Sequence, residues 1–271
     1  MPSDTSDPQA YFRRMDDGQF MPTHHVGGAW NVTEQHVAPA IGLLAHAVEA
    51  DHAARRTDRL QVARLSYDIW GTIPMDAVSV EITVLRPGRT IELVEARLCH
   101  DGRPAIVLRA WLTQAYDSAT IAADNFPTLP LPETLSAWTP SSLWAGGFIA
   151  SVEVRREQER PGRARCWVRS QLALIDGEPV SATARIMGLI DIANGLTPIA
   201  SPADVAFPNL DLTAHFFRSP IGEWVGFDIS VSSGPTGVGL THSILHDESG
   251  PLGTLSQCLT VRPALKAHGR E

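Results

Sequence analysis

The stretch HVAPAIGLLAHAVEADHAARR (36–56) has the pattern of one long helix that is buried over most of its surface. Ile41, Leu44, Ala45 and Val48 recur at spacings of three and four residues, which is the period of an apolar helical face. Pro39 fits the first helical turn, because the N–H that proline lacks has no intrahelical partner there. Since the first half of this helix has little polar surface, we expect a sheet to wrap around it.

Antiparallel strands are predicted directly after this helix. The segments LQVARLSYDIW (60–70) and DAVSVEITVLRPG (76–88) are rich in β-branched residues, and the second alternates apolar with polar side chains. Residues 90–115 have the pattern of a hairpin with Asp101-Gly102 at its turn. A helix followed by consecutive antiparallel strands is an α+β arrangement.

The same order of elements returns in the second half of the chain. Two strands are predicted over 148–174, followed by a helix over 178–195 that ends at Gly195. The strands predicted after this helix are 209–218, 224–235 and 237–263. The repetition of one order of elements predicts two modules of similar size.

A proline-rich segment separates the two halves, since residues 117–141 hold four prolines and show no sustained period. We therefore predict an N-terminal module over 10–116, a linker over 117–141 and a C-terminal module over 142–264. One long helix wrapped by an antiparallel sheet is the hot-dog fold. The predicted fold class is α+β, a double hot-dog of two tandem modules whose sheets join edge to edge.

Composition excludes several functional classes for this chain of 271 residues. Its net charge of −8 gives it no general electrostatic reason to bind nucleic acid or an anionic membrane. No apolar run approaches the ~20 residues of a membrane span, so no membrane insertion is expected. Cys99, Cys166 and Cys258 form neither a disulfide framework nor a zinc pattern. Because the first twenty residues also lack the order of a signal peptide, we expect a reduced, cytoplasmic protein without a metal.

The sequence resembles the acyl-CoA thioesterase II-like family of double hot-dog proteins from about residue 18 to residue 264. In the first half the resemblance lies in GGAWNVTEQHVAPAIGLLAHAVE (27–49) and in residues 78–112. In the second half it lies in LIDIANGLTPI (189–199) and in residues 207–263. The resemblance implies hydrolysis of an acyl-CoA to free CoA and a carboxylic acid. It also implies that no metal, no cofactor and no covalent Ser or Cys nucleophile takes part.

Three candidate catalytic residues follow from the resemblance, one position at a time. The Asp of the family falls on Asp191 in LIDIANG, its small polar residue on Asn209 in FPNLDLT, and its Gln on Gln257 in LSQCL. An Asp in line with an apolar helical stripe is desolvated, which makes its carboxylate more basic and suits a general base that takes a proton from water. The amides of Gln257 and Asn209 can hold that water or the thioester.

The start of the first helix is the candidate oxyanion site, because a helix N-terminus offers free N–H donors. His36 is a pocket candidate there, and Val37 and Ala38 would supply the donors. Related sequences often have two glycines where this chain has Val37-Ala38, and Pro39 removes one N–H. Because of this departure, the first alternative is a protein that binds acyl-CoA without hydrolysing it.

A polar row on the strand after Asn209 supplies further pocket candidates, namely Asp211, Thr213 and His215. Asp211 and His215 would serve the second alternative, a hydratase or dehydratase of enoyl- or hydroxyacyl-CoA. Six arginines between residues 155 and 169 indicate a solvated strand face or, alternatively, a contact for the CoA phosphates. The acyl group and its carrier, CoA or an acyl carrier protein, stay open. Unpaired outer strands favour a homo-oligomer.

Overall fold

One antiparallel sheet of eleven strands dominates the computed structural model, which describes residues 9–264. The strands of this part of the chain are β1 (Ala10–Arg14), β2 (Phe20–Pro22), β3 (Gln61–Ile69), β4 (Ser79–Arg86), β5 (Ile91–His100), β6 (Arg103–Thr113), β7 (Ala137–Trp138), β8 (Val152–Arg160), β9 (Arg163–Ser170), β10 (Ala173–Ile175), β11 (Val205–Ala206), β12 (Asp211–Phe216), β13 (Val225–Ser233), β14 (Val238–Asp247), β15 (Gly250–Thr260) and β16 (Arg262–Pro263). The helices are α1 (Val37–Arg55), α2 (Gly147–Ala150), α3 (Ala182–Met187) and α4 (Ala193–Leu196).

The long helix predicted at 36–56 is confirmed, since α1 differs from it by one residue at each end. α1 packs against β4, β5 and α3, and its residues from Ala38 to Ala45 are all buried. Each fully buried Leu or Ile side chain stabilises such a core by about 1.5–3 kcal/mol relative to an exposed one. α1 is therefore the central element of the core in the first half of the chain.

The strand order shows how the two halves of the chain meet. It runs β4-β5-β6-β3-β12-β15-β14-β13-β9-β8-β7, with every neighbouring pair antiparallel. The two halves join where β3 pairs with β12, in a register that sets Leu65 opposite Ala214. From this junction the order is β3-β6-β5-β4 on one side and β12-β15-β14-β13 on the other. The second half therefore repeats the strand order of the first across an edge-to-edge junction.

The turn predicted between β5 and β6 is confirmed. Asp101 and Gly102 have φ angles of 49° and 72°, which is the left-handed pair that a tight two-residue hairpin requires. The strands predicted from residue 60 to residue 115 all form in the predicted order.

The single helix predicted over 178–195 is wrong. The chain forms α3, then a 3₁₀ turn at Ile190–Ile192, then α4, which ends one residue beyond Gly195. The break follows Gly188, whose backbone lies so close to α1 that a Cβ on Gly42 would stand 2.7 Å from the Gly188 Cα. The helical period of the buried positions hid the break, because Ala184 and Met187 on α3 and Asp191 on the 3₁₀ turn are all buried although a break separates the two segments.

The proline-rich segment predicted as a linker follows the surface of the second half. His246 Nε2 lies 2.9 Å from the Pro127 carbonyl oxygen, and Trp167 Nε1 donates to the Pro130 carbonyl oxygen at 2.7 Å. The segment ends in β7, which pairs with β8 and forms one edge of the sheet, while β4 forms the other. The module boundaries and the homo-oligomer stay predictions. Within residues 9–264, no helix is both long and apolar enough to cross a membrane.

Candidate active site

A cavity of about 740 Å³ opens beside the start of α1. Both halves of the chain line it, and its wall is mainly apolar with a few polar groups, as is usual for a small-molecule site. The lining residues include Gly28, Trp30, His36, Val37, Ile69, Trp70, Trp144, Ile149, Asp191, Ile192, Asn194, Asn209, Leu210 and Arg262.

Asp191 is the buried carboxylate of this cavity, with only 5% of its surface exposed. Its Oδ1 accepts hydrogen bonds from Asn209 Nδ2 at 2.8 Å and from Gln257 Nε2 at 3.1 Å. Within residues 9–264 no group donates a hydrogen bond to its Oδ2. Burial raises the pKa of Asp191 from 3.8 to about 7, while the two amides act in the opposite direction. Near neutral pH, Oδ2 is therefore the oxygen of this group that can take a proton from a ligand or water.

Asn209 and Gln257 both donate hydrogen bonds to the Asp191 carboxylate. Asn209 lines the cavity, and its Nδ2 also donates to the main-chain oxygen of Asp211 at 3.0 Å. Gln257 lies on β15, is fully buried and does not line the cavity. The structure thus brings the three predicted residues together, with Asp191 and Asn209 at the wall and Gln257 behind them.

His36 caps the start of α1 and lines the cavity beside Asp191. Its Nδ1 accepts the main-chain N–H of Ala38 at 3.1 Å and lies 4.0 Å from Asp191 Oδ2. The centre of its ring is 4.2 Å from the centre of the Phe148 ring. Burial lowers the pKa of His36 from 6.5 to about 3, so the imidazole is neutral near pH 7. Because a main-chain N–H can only donate, Nδ1 is the unprotonated nitrogen and Nε2 has the hydrogen.

Only one of the two residues predicted as oxyanion donors is available for that role. Val37 lines the cavity, and its N–H has no partner among the described residues. The Ala38 N–H is directed to the His36 ring instead, so the donor role predicted for Ala38 is wrong. Pro39 has no N–H to replace it.

The polar row predicted as part of the pocket lies elsewhere. None of Asp211, Thr213 and His215 lines the cavity, so the pocket role predicted for them is wrong. The face of β12 that is buried carries Leu212 and Ala214, and His215 on the other face is exposed. Residues four apart on a strand are roughly 13 Å apart, so Asp211 and His215 do not form a catalytic pair.

The predicted alternation of side chains between the two faces of the strand does not hold before β12 begins. Asn209 lies before the strand, where a single bridge to Leu259 replaces regular pairing, and its side chain turns towards Asp191. Strand alternation therefore cannot be extended from Asp211 back to Asn209. Asp211 has a structural contact instead, since its Oδ1 accepts the Cys258 N–H at 2.6 Å.

An aromatic cluster on the cavity wall escaped the sequence analysis. The ring centres of Trp30 and Trp144 are 4.9 Å apart, and those of Trp30 and Phe207 are 5.1 Å apart, both in edge-on contact. Trp144 Nε1 donates to the Gly195 carbonyl oxygen at 3.0 Å. Trp70, with 61% of its surface exposed, stands at the rim. Trp30 and Trp144 lie outside any strand or helix, and a bulky aromatic residue in such a segment was the signal that could have indicated them.

The arginine that lines the cavity is not one of those that the sequence indicated. In the stretch 155–169, Arg155 and Arg169 pair with Glu153, and no arginine of the stretch lines the cavity. Arg262 does line it, and its exposed guanidinium donates to Thr260 Oγ1 at 3.0 Å. Over residues 9–264, no three His, Cys, Asp or Glu side chains are grouped so that they could hold a metal ion.

The fold defines the class of protein first. A hot-dog protein from Alicyclobacillus acidocaldarius superposes with a TM-score of 0.71 at 14% identity, covering 96% of this chain and 98% of the other. A protein designated a thioesterase from Novosphingobium aromaticivorans gives 0.69 at 21% identity, with 93% and 98% covered. An acyl-CoA thioesterase II from Mycobacterium marinum gives 0.63 at 15% identity, with 96% and 98% covered. The chain is a hot-dog protein.

The sequence then identifies the family. Residues 26–113 match the model of the acyl-CoA thioesterase N-terminal domain, and residues 123–261 match that of the C-terminal domain. The chain therefore belongs to the acyl-CoA thioesterase family. A search of curated proteins gave no significant match.

Proposed function

We propose that this protein hydrolyses the thioester of an acyl-CoA to free CoA and a carboxylic acid, with Asp191 as general base. The observation that carries the proposal is the Asp191 carboxylate. It is buried in the wall of a large apolar cavity, two amides fix one of its oxygens, and burial raises its pKa to about 7. A general base works best when its pKa lies near the working pH.

The reaction needs only water as co-substrate. Asp191 Oδ2 takes a proton from a water molecule while the water oxygen attacks the thioester carbonyl carbon. The tetrahedral intermediate then collapses as the carbon–sulfur bond breaks, and the leaving thiolate takes the proton from Asp191. The products are a carboxylic acid and the CoA thiol, and the carboxylate of Asp191 is restored. No cofactor, metal or covalent Ser or Cys intermediate takes part in this scheme.

Asn209 and Gln257 act as positioning residues in this proposal. Both donate to Asp191 Oδ1, which leaves Oδ2 without a donor from either amide in a residue that lines the cavity. Their two hydrogen bonds also limit the rise in the pKa of the Asp191 carboxyl. A substantial fraction of this carboxyl group is therefore ionised at neutral pH and can act as a base. Asn209, at the wall, is also within reach of a bound thioester.

The double hot-dog is the architecture that we propose for this site. The strand orders β3-β6-β5-β4 and β12-β15-β14-β13 repeat on the two sides of one antiparallel junction. In this arrangement the first module contributes His36 and Val37, and the second contributes Asp191 and Asn209. The active site then lies between the two modules.

The substrate enters with its acyl group against the apolar wall. Trp30 and Trp144 line the cavity and offer contact area for this group, and Phe207 packs edge-on against both of them. Arg262 at the rim is the cation that we assign to a CoA phosphate, because guanidinium groups bind phosphate oxygens well.

One observation favours a second candidate, a protein that binds acyl-CoA without hydrolysing it. The Ala38 N–H is taken up by His36 and Pro39 has no N–H, so the start of α1 offers few donors for an oxyanion. Such a protein would bind the same ligands in the same cavity, and only turnover separates the two candidates.

Thiol release from short, medium, long and aromatic acyl-CoAs tests the proposal, with the protein thiols blanked. Asp191→Asn keeps the shape of the side chain and removes the base, so we expect kcat to fall at least a hundredfold, roughly the contribution of a general base. Asp211→Asn is the matched control, because this carboxylate lies outside the cavity, and it should keep wild-type activity. If no acyl-CoA is hydrolysed while one of them raises the melting temperature, the second candidate is correct.

A further inference from the structure

We infer that His36 is a catalytic residue of this site and that its Nε2–H donates a hydrogen bond to the carbonyl oxygen of the bound thioester. The inference rests on the proposed function and adds to it the group that stabilises the developing oxyanion. It assigns a chemical role to a side chain that otherwise serves only as the cap of α1.

The cap contact of His36 determines its tautomer. Nδ1 of His36 accepts the Ala38 N–H at 3.1 Å, so the ring hydrogen is on Nε2. No group within residues 9–264 accepts a hydrogen bond from Nε2, although the side chain is largely buried and lines the cavity. This N–H is therefore open to the cavity and is available to donate to the oxygen of a ligand there.

Few other N–H donors are available at the start of α1. An oxyanion of a tetrahedral intermediate is ordinarily held by two or more N–H groups. At the start of α1 the Ala38 N–H is taken up by the imidazole and Pro39 has no N–H, which leaves the N–H of Val37. Adding the Nε2–H of His36 restores a pair of donors on the same side of the cavity.

The imidazole of His36 is held in a fixed position beside Asp191. His36 Nδ1 lies 4.0 Å from Asp191 Oδ2, so the imidazole and the base flank the same part of the cavity. The ring packs on Phe148 on one side and is held at Nδ1 by the Ala38 N–H. A donor that is fixed before the substrate binds needs no reorganisation during the reaction, which is the condition for effective oxyanion stabilisation.

The alternative is that His36 is only a helix cap, and the two roles use different nitrogens. Asn is among the best capping residues, and its Oδ1 stands at the position of Nδ1, so His36→Asn keeps the cap and removes the distal donor. The side chain of Gln places its Nε2 at the position of the imidazole Nε2, so His36→Gln keeps a distal donor and loses the cap. This pair of variants therefore separates the chemical role from the structural one.

The kinetic test compares thiol release by the wild type and both variants on the best acyl-CoA of the panel. We expect His36→Asn to lower kcat about a hundredfold, the usual cost of one oxyanion donor, with KM and melting temperature nearly unchanged. We expect His36→Gln to lose a few degrees of melting temperature and to keep kcat within about tenfold of the wild type. An active Asn variant overturns the inference, since activity would then follow the cap.

A second measurement does not need turnover and decides the case in which both variants lose activity. The probe is an acyl-CoA analogue in which CH₂ replaces the thioester sulfur and the carbonyl carbon is ¹³C. We expect its carbonyl resonance to move downfield on binding to the wild type and to return upfield in His36→Asn. An equal resonance in both proteins overturns the role of His36. Failure of the analogue to bind overturns this inference together with the proposed function, whereas a shifted carbonyl without hydrolysis of any acyl-CoA overturns the proposed function and leaves to His36 only the hydrogen bond to the bound carbonyl.

Discussion

At the scale of single residues, the burial of Asp191 links activity to stability. Folding raises the pKa of this carboxyl from 3.8 to about 7, so the folded state binds its proton more tightly than the unfolded state does. A raised pKa gives a contribution to stability that is complete below about pH 4 and is lost as the pH rises through 7. At pH 8 the ionised carboxylate therefore costs the fold on the order of 4 kcal/mol.

Asp191→Asn should consequently be more stable than the wild type at pH 8. The amide is neutral at every pH, and its oxygen can still accept the hydrogen bonds of Asn209 and Gln257. We expect the melting temperature of the variant to exceed that of the wild type by several degrees at pH 8 and by much less at pH 4.5. Thermal denaturation at both pH values checks this, and a difference that does not change with pH would contradict the raised pKa.

Arg262 leads to a prediction about the carrier of the acyl group. If its guanidinium binds a CoA phosphate, Arg262→Ala should raise the KM for the acyl-CoA about fivefold, the effect of an exposed ionic contact. The same variant should leave the KM for the N-acetylcysteamine thioester unchanged, because that substrate has no phosphate. Arg59→Ala, which removes an exposed arginine outside the cavity, is the control. Equal losses on both substrates would show that Arg262 supports the cavity wall instead.

The proposed role of His36 as a hydrogen-bond donor could not be predicted from the sequence. The sequence placed it at the helix start and the resemblance placed Asp191, Asn209 and Gln257 together. Which nitrogen of His36 has the hydrogen depends on the direction of the Ala38 N–H, and that direction exists only once the turn before α1 is built. The same holds for Arg262, because its neighbours at the rim are distant in sequence.

At the scale of elements, the crossing of α1 and α3 sets the position of Asp191. Gly42 lets the two backbones meet, since a Cβ there would stand 2.7 Å from the Gly188 Cα and 2.9 Å from the Ala184 carbonyl oxygen. Asp191 lies three residues beyond Gly188. A change in the helix crossing therefore moves the Asp191 carboxylate, which is the proposed general base.

Gly42→Ala should push α3 away from α1 and destabilise the protein by about 1–3 kcal/mol, the usual cost of overpacking. We also expect kcat to fall more than tenfold, because the carboxylate moves relative to the cavity. Denaturant unfolding and thiol release measure the two effects. Gly71→Ala is the stability control, since a Cβ at Gly71 meets nothing within 4 Å. Unchanged stability of Gly42→Ala would contradict the close crossing.

The elements also show which patterns predict structure well. α1 was predicted to within one residue at each end, because it is long, strongly apolar and flanked by clear signals. The break after Gly188 could not be predicted, since the buried positions keep a helical period across three short segments. The pocket role of Asp211, Thr213 and His215 failed because regular alternation begins only at Asp211.

At the scale of the whole molecule, the cavity of the proposed active site depends on both halves of the chain. The first half contributes His36 and Val37 to the cavity, and the second contributes Asp191 and Asn209. The halves are joined by the pairing of β3 with β12 and by the contact of α1 with α3. Neither half alone would have a complete cavity.

Fragments 1–116 and 117–271 should therefore be inactive when expressed separately. Co-expression should restore thiol release, because β3 and β12 provide a complementary edge and the apolar face of α1 needs α3. A full chain with a protease site introduced between residues 117 and 126 is the control, and it should stay active after cleavage. Activity of fragment 117–271 alone would contradict a site shared between the halves.

The most direct test of Asp191 as general base is the pH dependence of kcat/KM for thiol release, which reports the pKa of the free enzyme. Since only the ionised carboxylate accepts a proton, we expect kcat/KM of the wild type to rise with pH and to level off above an inflection near pH 7. The residual activity of Asp191→Asn should lack this inflection. A wild-type profile without an inflection between pH 5 and pH 9, or the same inflection in the Asn variant, would contradict the assignment of Asp191 as the base.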